Sequence, residues 1–239
     1  MKPYFETKLG KLYHGDCLEI MPELEPVDLV LTDPNYGENI TQKSKNYGNC
    51  PNLSRKATTD SWDIKPFTKE QVQAFSVLSK NQIVFGANYC WEAFYSSRCY
   101  IVWDKRGNLP KVPFADTEFA WTSFIDRMCK KYTVIKHGFI SDQKEKMLHP
   151  TQKPSRLFIE ILCDFSKENE IVLDPFLGSG TTAIACERLK RKWIGIEIEE
   201  KYCEISAKRI EREVKLLDAG FFGRDIYQPK PKIKQKGFF

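Results

Sequence analysis

Apolar residues recur along the chain in short runs of three or four, separated by longer stretches in which apolar positions return at helical spacing. That rhythm is the pattern of a mostly parallel sheet, buried on both faces and wound by crossover helices. Leu29-Val30-Leu31, Ile83-Val84-Phe85, Ile101-Val102-Trp103, Ile171-Val172-Leu173 and Trp193-Ile194-Gly195-Ile196 read as buried strands. Lys11-Leu12-Tyr13 is a weaker one, and the run from Phe119 to Phe124 reads as a further strand, antiparallel at the sheet edge. Helices fit at about residues 69–79, 89–96, 154–165, 181–190 and 200–217. In the third of these, Leu157, Ile161 and Phe165 recur at i, i+4 and i+8, and Pro154 suits the first turn. In the last, Tyr202, Ile205, Ile210 and Val214 form the apolar stripe. The expected fold class is therefore α/β, a doubly wound, mostly parallel sheet with an antiparallel edge strand, in a single domain over about residues 1–222.

Two stretches break the rhythm. Residues from about 38 to 59 are polar and carry Lys43, Lys45, Arg55 and Lys56. Residues from about 105 to 147 mix Arg106, Lys111, Arg127, Lys130, Lys131 and Lys136 with aromatic side chains. The tail over residues 223–239 holds Pro229, Pro231 and four lysines, and reads as an extended basic appendage.

Composition narrows the function classes. The chain has 239 residues, enough for one such domain with a modest insertion, and its formal charge of +5 is compatible with a polyanionic partner without demanding one. No apolar run approaches membrane-spanning length, and the first residues hold no apolar segment of the kind that opens a secretory signal. The eight cysteines are scattered singly, none forms a Cys-x-x-Cys pair, and three histidines complete no zinc pattern. Reduced, buried thiols in a cytoplasmic protein are the expectation, with no metal.

Three segments carry candidate chemistry. Leu173-Asp174-Pro175-Phe176-Leu177-Gly178-Ser179-Gly180-Thr181-Thr182 runs from a strand through a glycine turn into a helix. Glycines let backbone approach a ligand closely, and a helix start offers free N–H groups; by itself the segment is equally an ordinary tight turn. No Gly-Lys-Ser/Thr follows, which disfavours a P-loop, and the third glycine of the dinucleotide fingerprint is missing. Glu197 ends the following strand, where an acid can accept hydrogen bonds from both ribose hydroxyls, although Glu199 and Glu200 make a solvated acid the plain alternative. Asp33-Pro34-Asn35-Tyr36 follows the strand Leu29–Thr32 and suits an ordinary Asp-Pro turn.

Taken together, these segments resemble the amino-directed DNA methyltransferases, which carry Asp-Pro-Pro-Tyr or a Ser or Asn variant at this place. Phe176, Gly178 and Gly180 match that family's Phe-x-Gly-x-Gly turn; His149-Pro150-Thr151-Gln152-Lys153-Pro154 resembles its His-Pro-Thr-x-Lys-Pro element; Gly15-Asp16-Cys17-Leu18 resembles a further segment. The catalytic motif comes before the cofactor turn, an order similar to the circularly permuted β group.

The resemblance implies the S-adenosylmethionine-dependent methyltransferase fold, S-adenosylmethionine as cofactor and no metal. It implies that Asp33 and the Pro34 carbonyl accept the two N–H bonds of an exocyclic base amine, and that Tyr36 stacks on a base flipped out of double-stranded DNA. Asp16 and Cys17 are expected at the adenine end of the cofactor and Glu197 at its ribose. Asp174, Phe176, Gly178, Ser179, Gly180 and Thr181 are expected around the cofactor, with Thr151 and Lys153 at its carboxylate. Asp33 favours N6 of adenine, because Asp at this position is associated with adenine and Ser with N4 of cytosine. Asn35 departs from the family's usual second proline, which marks either a tolerated variant or a weakened enzyme. Target recognition is expected over about residues 105–147 with help from the 38–59 loop, and Lys43, Lys45, Arg55, Lys56 and Arg106 as DNA contacts. So short a recognition region implies a short or relaxed target, or a homodimer that pools two; a cognate restriction nuclease is a further candidate partner. The competing readings are an N4-cytosine enzyme, a catalytically silent DNA-binding homologue, and methylation of RNA or a protein glutamine.

Overall fold

The computed structural model describes residues 1–37, 66–110, 115–137, 140, 141, 148 and 152–221. In chain order the elements are β1 (Phe5–Glu6), β2 (Gly10–His14), α1 (Cys17–Ile20), β3 (Val27–Thr32), α2 (Lys69–Leu78), β4 (Ser79–Phe85), β5 (Tyr100–Asp104), β6 (Thr117–Thr122), β7 (Lys130–Thr133), β8 (Lys136–His137), β9 (Ile140–Ser141), α3 (Ser155–Phe165), β10 (Ile171–Asp174), α4 (Thr181–Leu189), β11 (Lys192–Glu197) and α5 (Glu200–Asp218). One sheet runs in the order β1-β2-β11-β10-β3-β4-β6-β5-β7, and β8 pairs with β9 apart from it. From β2 through β4 all pairings are parallel. β1 is an antiparallel edge strand on β2.

Strict alternation along the strands decides which layer each residue joins. Leu12, Leu29, Leu31, Ile83, Phe85 and Ala120 pack into one core cluster, under α3, α4 and α5. Tyr13, Val30, Val84 and Trp121 point the other way, into a second cluster with Cys17, Ile20, Val72 and Phe75 of α1 and α2. Both faces are therefore covered, which is why the central strands read as continuous apolar runs. α2 starts from a reciprocal capping box between Thr68 and Gln71. α3 buries Leu157, Ile161 and Phe165 as expected, with Phe158, Ile159 and Leu162 widening the stripe; Pro154 is its N-cap, one place before the first turn.

The structure differs from the sequence expectations in three places. The helix expected at 89–96 is replaced by two 3₁₀ turns, Ala87–Tyr89 and Trp91–Ala93. Gly86 enters them in the left-handed region, and Phe94 and Tyr95 are drawn onto Trp121, whose indole N–H donates to the Tyr95 carbonyl at 2.9 Å. Tertiary packing of aromatics there outweighs a weak helical pattern. Second, β6 is antiparallel as expected but lies inside the sheet, between β4 and β5, with β7 beyond them. Much of the 105–147 stretch thus builds sheet. Third, the buried stripe of α5 is Tyr202, Cys203, Ser206, Ile210 and Glu213, with Ile205 and Val214 half-buried. Glu213 is admitted because Arg188 of α4 meets it at 2.6 Å. Among the described cysteines, Cys17, Cys99, Cys186 and Cys203 are buried as free thiols. Among the described residues no helix is long and apolar enough to cross a membrane.

Candidate active site

Five neighbouring parallel strands, β2, β11, β10, β3 and β4, end on the same edge of the sheet, and each hands over to a polar or glycine residue there. The residues are Gly15 and Asp16 after β2, Glu197 closing β11, Asp174 closing β10, Asp33 after β3 and Gly86 after β4. The C-terminal edge of a parallel sheet is where α/β folds hold ligands.

On one side of this edge, backbone groups cradle a carboxylate. Glu197 is buried, and its two oxygens accept from the N–H of Gly178 at 2.8 Å and of Glu199 at 2.9 Å. Burial pushes its carboxyl up to about 7, against those two N–H donors. Gly178 and Gly180 both hold positive φ, and a Cβ at Gly180 would stand 3.1 Å from that of Ser206. The Gly15 N–H donates to the Glu197 carbonyl at 3.0 Å, which joins the turn after β2 to the end of β11. Asp16 caps α1 by accepting from the Leu18 N–H at 2.8 Å, and burial pushes the adjacent Cys17 thiol up to about 12. Glycine backbone beside one desolvated acid could hold a nucleoside by its ribose hydroxyls.

Other members of the expected cofactor set also brace the turn around it. Asp174 accepts from the Thr32 hydroxyl at 2.7 Å, the Phe176 N–H at 3.1 Å and the Thr182 hydroxyl. Burial pushes its carboxyl up to about 6 despite those donors. It knots the end of β3, the glycine turn and the start of α4 together. Ser179 and Thr181 are braced by Arg209 of α5, and the Thr181 hydroxyl reaches the Lys153 carbonyl at 3.3 Å. Phe176 packs edge-on against Phe75 of α2.

On the other side the charges are carried by side chains. Lys153, 6% exposed, places its ammonium 2.7 Å from both oxygens of Asp33 and 3.2 Å from the Tyr36 hydroxyl. The same ammonium lies 3.0 Å from Glu118 of β6, whose other oxygen meets Lys105 at 2.8 Å. Tyr36 donates to Asp33. Burial works to lower the Lys153 ammonium, but Asp33 and Glu118 raise it above its ordinary value. Burial works to raise Glu118, but Lys153 and Lys105 hold it down at about 2. Burial raises Asp33, with Lys153 the main opposing influence. Lys153, expected at a cofactor carboxylate, has its ammonium seated on Asp33.

Aromatic rings frame this cluster. Tyr36 stacks on Tyr89, centroids 4.7 Å apart and 13° from parallel. Gly86 makes the stack feasible, because a Cβ there would come within 1.9 Å of the Tyr36 ring. The motif turn is anchored behind: the Asn35 carbonyl accepts from the Phe67 N–H at 3.1 Å, and Phe67 is buried. That anchor supplies some of the stiffness a second proline would give.

Of the expected DNA contacts, Lys43, Lys45, Arg55 and Lys56 lie outside the described residues, as does Thr151. Arg106 is described, and its guanidinium meets Asp116 at 2.8 Å and donates to the Leu109 carbonyl, bracing the β5–β6 connection. Glu118 and Tyr89 escaped the sequence reading. Glu118 sits in a strand whose alternation allows an acid facing solvent, and only its contact with Lys153 reveals its role. Tyr89 fell in the segment read as a helix. Among the described residues no cluster of His, Cys, Asp or Glu is placed to hold a metal ion.

Residues 38–208 match the model of the DNA methylase family of the N6/N4 class, a match that begins just beyond Tyr36. The chain is 27% identical to the type II methyltransferase M.HinfI of Haemophilus influenzae, over 98% of this chain and 77% of that protein. Its structure is similar to that of M1.HpyAVI in complex with SAM, with a TM-score of 0.58 and 25% identity over 84% of this chain and 99% of the other. The PvuII DNA methyltransferase, described as cytosine-N4-specific, shares the fold at a TM-score of 0.56, with 18% identity over 92% of this chain and 96% of the other. The fold is that of the S-adenosylmethionine-dependent methyltransferases. The chain belongs to the N6/N4 family of DNA methylases, amino-directed DNA methyltransferases.

Proposed function

We propose that this DNA methyltransferase acts on the exocyclic N6 of adenine, in a base flipped out of the duplex and at a specific short site. The observation that carries the reading is the join between the two halves of the cleft. Thr32, the residue before Asp33, is hydrogen-bonded at 2.7 Å to Asp174, the residue that opens the glycine turn. Methyl donor and acceptor amine are thereby referred to one rigid knot of buried hydrogen bonds, as a transfer limited by alignment requires.

S-adenosylmethionine supplies the methyl group from its sulfonium. Glu197 is the acid for its ribose, Gly178 and Gly180 give it close backbone, and Asp16 with Cys17 borders its adenine end. The acceptor is the harder partner, because an exocyclic amine shares its lone pair with the ring. Asp33 accepts one N–H and the Pro34 carbonyl the other, drawing the nitrogen toward tetrahedral geometry and stabilising the positive charge that develops there. Tyr36, held parallel to Tyr89, offers the aromatic platform on which an extruded base stacks. An Asp at the first motif position favours adenine by association. The anchored turn at Asn35 supports an active enzyme over a silent homologue. Lys43, Lys45, Arg55, Lys56 and Arg106 are proposed for the DNA phosphates, and a homodimer and a cognate nuclease are proposed partners.

Methylation of mixed-sequence duplex DNA with labelled cofactor, followed by digestion to nucleosides, tests the base. N6-methyladenine is expected. Label found only in N4-methylcytosine would overturn the adenine assignment and leave the family untouched.

A further inference from the structure

The cluster at Asp33 holds three charged groups that the chemistry just described does not use, Lys153, Glu118 and Lys105. Lys105, Glu118, Lys153 and Asp33 form a chain of alternating charge, with contacts of 2.8, 3.0 and 2.7 Å along it. The Lys153 ammonium has three hydrogens, yet four oxygens lie within reach: both of Asp33, the Tyr36 hydroxyl and one of Glu118. A lysine with more acceptors than donors can give up one partner and stay satisfied. Both Asp33 oxygens are engaged by Lys153, one of them by Tyr36 as well, and an amine proton meets a stronger acceptor there when the ammonium yields.

We propose that Glu118 is a positioning residue for methyl transfer: acting through Lys153, it competes with Asp33 for the ammonium and takes a larger share of it when the base amine claims Asp33. Without Glu118, Lys153 and Asp33 form a closed neutral pair, and the acceptor that must favour positive charge on the amine is already neutralised. With Glu118 the four groups are neutral together, but the ammonium is shared between two carboxylates, so Asp33 keeps more of its own negative charge beside the reacting nitrogen. Lys105 holds Glu118 from behind and fixes its aim. Phe85 and Trp103, each with its ring under the ammonium, keep the site dry enough for these charges to matter. This inference rests on the reading of Asp33 as the acceptor of the amine N–H.

A double-mutant cycle tests it. Wild type, Glu118→Gln, Lys153→Met and the double variant are assayed for methyl transfer to unmethylated plasmid DNA, with kcat and the KM for S-adenosylmethionine measured separately. Glu118→Gln keeps the volume and removes the charge. It is expected to lower kcat about 10-fold or more while leaving the cofactor KM within about twofold, and to have no further effect once Lys153 is Met. A merely structural Glu118 would instead lower kcat and raise the cofactor KM, or lower the rate by the same factor with and without Lys153. Either result overturns the proposal, as does full activity of Glu118→Gln. Wild-type protein with no methyl transfer overturns the underlying function as well, so the two failures are distinguishable.

Discussion

Glu197 closes β11 and Asp33 follows β3, two carboxylates on one edge of one sheet, and their partners differ in kind. Glu197 is met by backbone N–H groups, of Gly178 in the glycine turn after β10 and of Glu199 two residues on. Asp33 is met by side chains, Tyr36 close by and Lys153 from far along the chain, with Glu118 behind it. Backbone donors cannot leave, so the cofactor side is a fixed cradle; an ammonium shared among four oxygens can shift, so the base side is built to exchange partners. A cofactor that binds in one pose suits the first arrangement. A base that arrives from a duplex and must displace something suits the second.

The two sides can be separated by substitution. Asp33→Ala has the largest expected effect: kcat falls about 100- to 1,000-fold, the scale of losing one preorganised group at a developing charge. Cofactor affinity, followed by calorimetry, stays within a few-fold, because nothing in the backbone cradle is touched. Glu197→Ala reverses the pattern. Losing hydrogen bonds to a charged group, worth about 1.5–3 kcal/mol, weakens cofactor binding about 10- to 100-fold, while kcat at saturating cofactor is affected less.

The same contrast explains what could be read from the sequence. The glycine turn, Glu197 and the strands β3, β4, β10 and β11 were legible, because short continuous apolar runs and short-range spacing encode them. The seat of Lys153 was not. It depends on a residue 120 positions away, and a motif gives residue order without saying which partner an ammonium meets across the fold. Glu118 was hidden for the same reason, and so was the internal place of β6, since strand order is a property of crossovers. The helix expected at 89–96 failed because Trp121, on a distant strand, packs against Phe94 and Tyr95.

A smaller test addresses the aromatic platform. Gly86→Ala forces a methyl into the Tyr36 ring at a left-handed backbone position, and about 1–3 kcal/mol of stability is expected to be lost in urea denaturation. Methyl transfer falls with it, whereas cofactor affinity does not.

The smallest effect is one of pH. The Glu197 carboxyl of the free protein is raised to about 7 by burial, and ribose hydroxyls donate to its ionised form. Cofactor binding therefore releases a proton below that value, and affinity tightens as pH rises from about 6 to about 7 and levels above it. Titration calorimetry in buffers of different ionisation heat reads the proton directly. In the Glu197→Gln variant the dependence disappears.

Base-resolution sequencing of modified DNA from cells expressing the wild-type chain, beside cells expressing Asp33→Ala, tests the central claim most directly. The account predicts N6-methyladenine recurring in one short sequence with the wild type and absent with the variant. N4-methylcytosine in its place, or adenine methylation that survives the loss of Asp33, would contradict it.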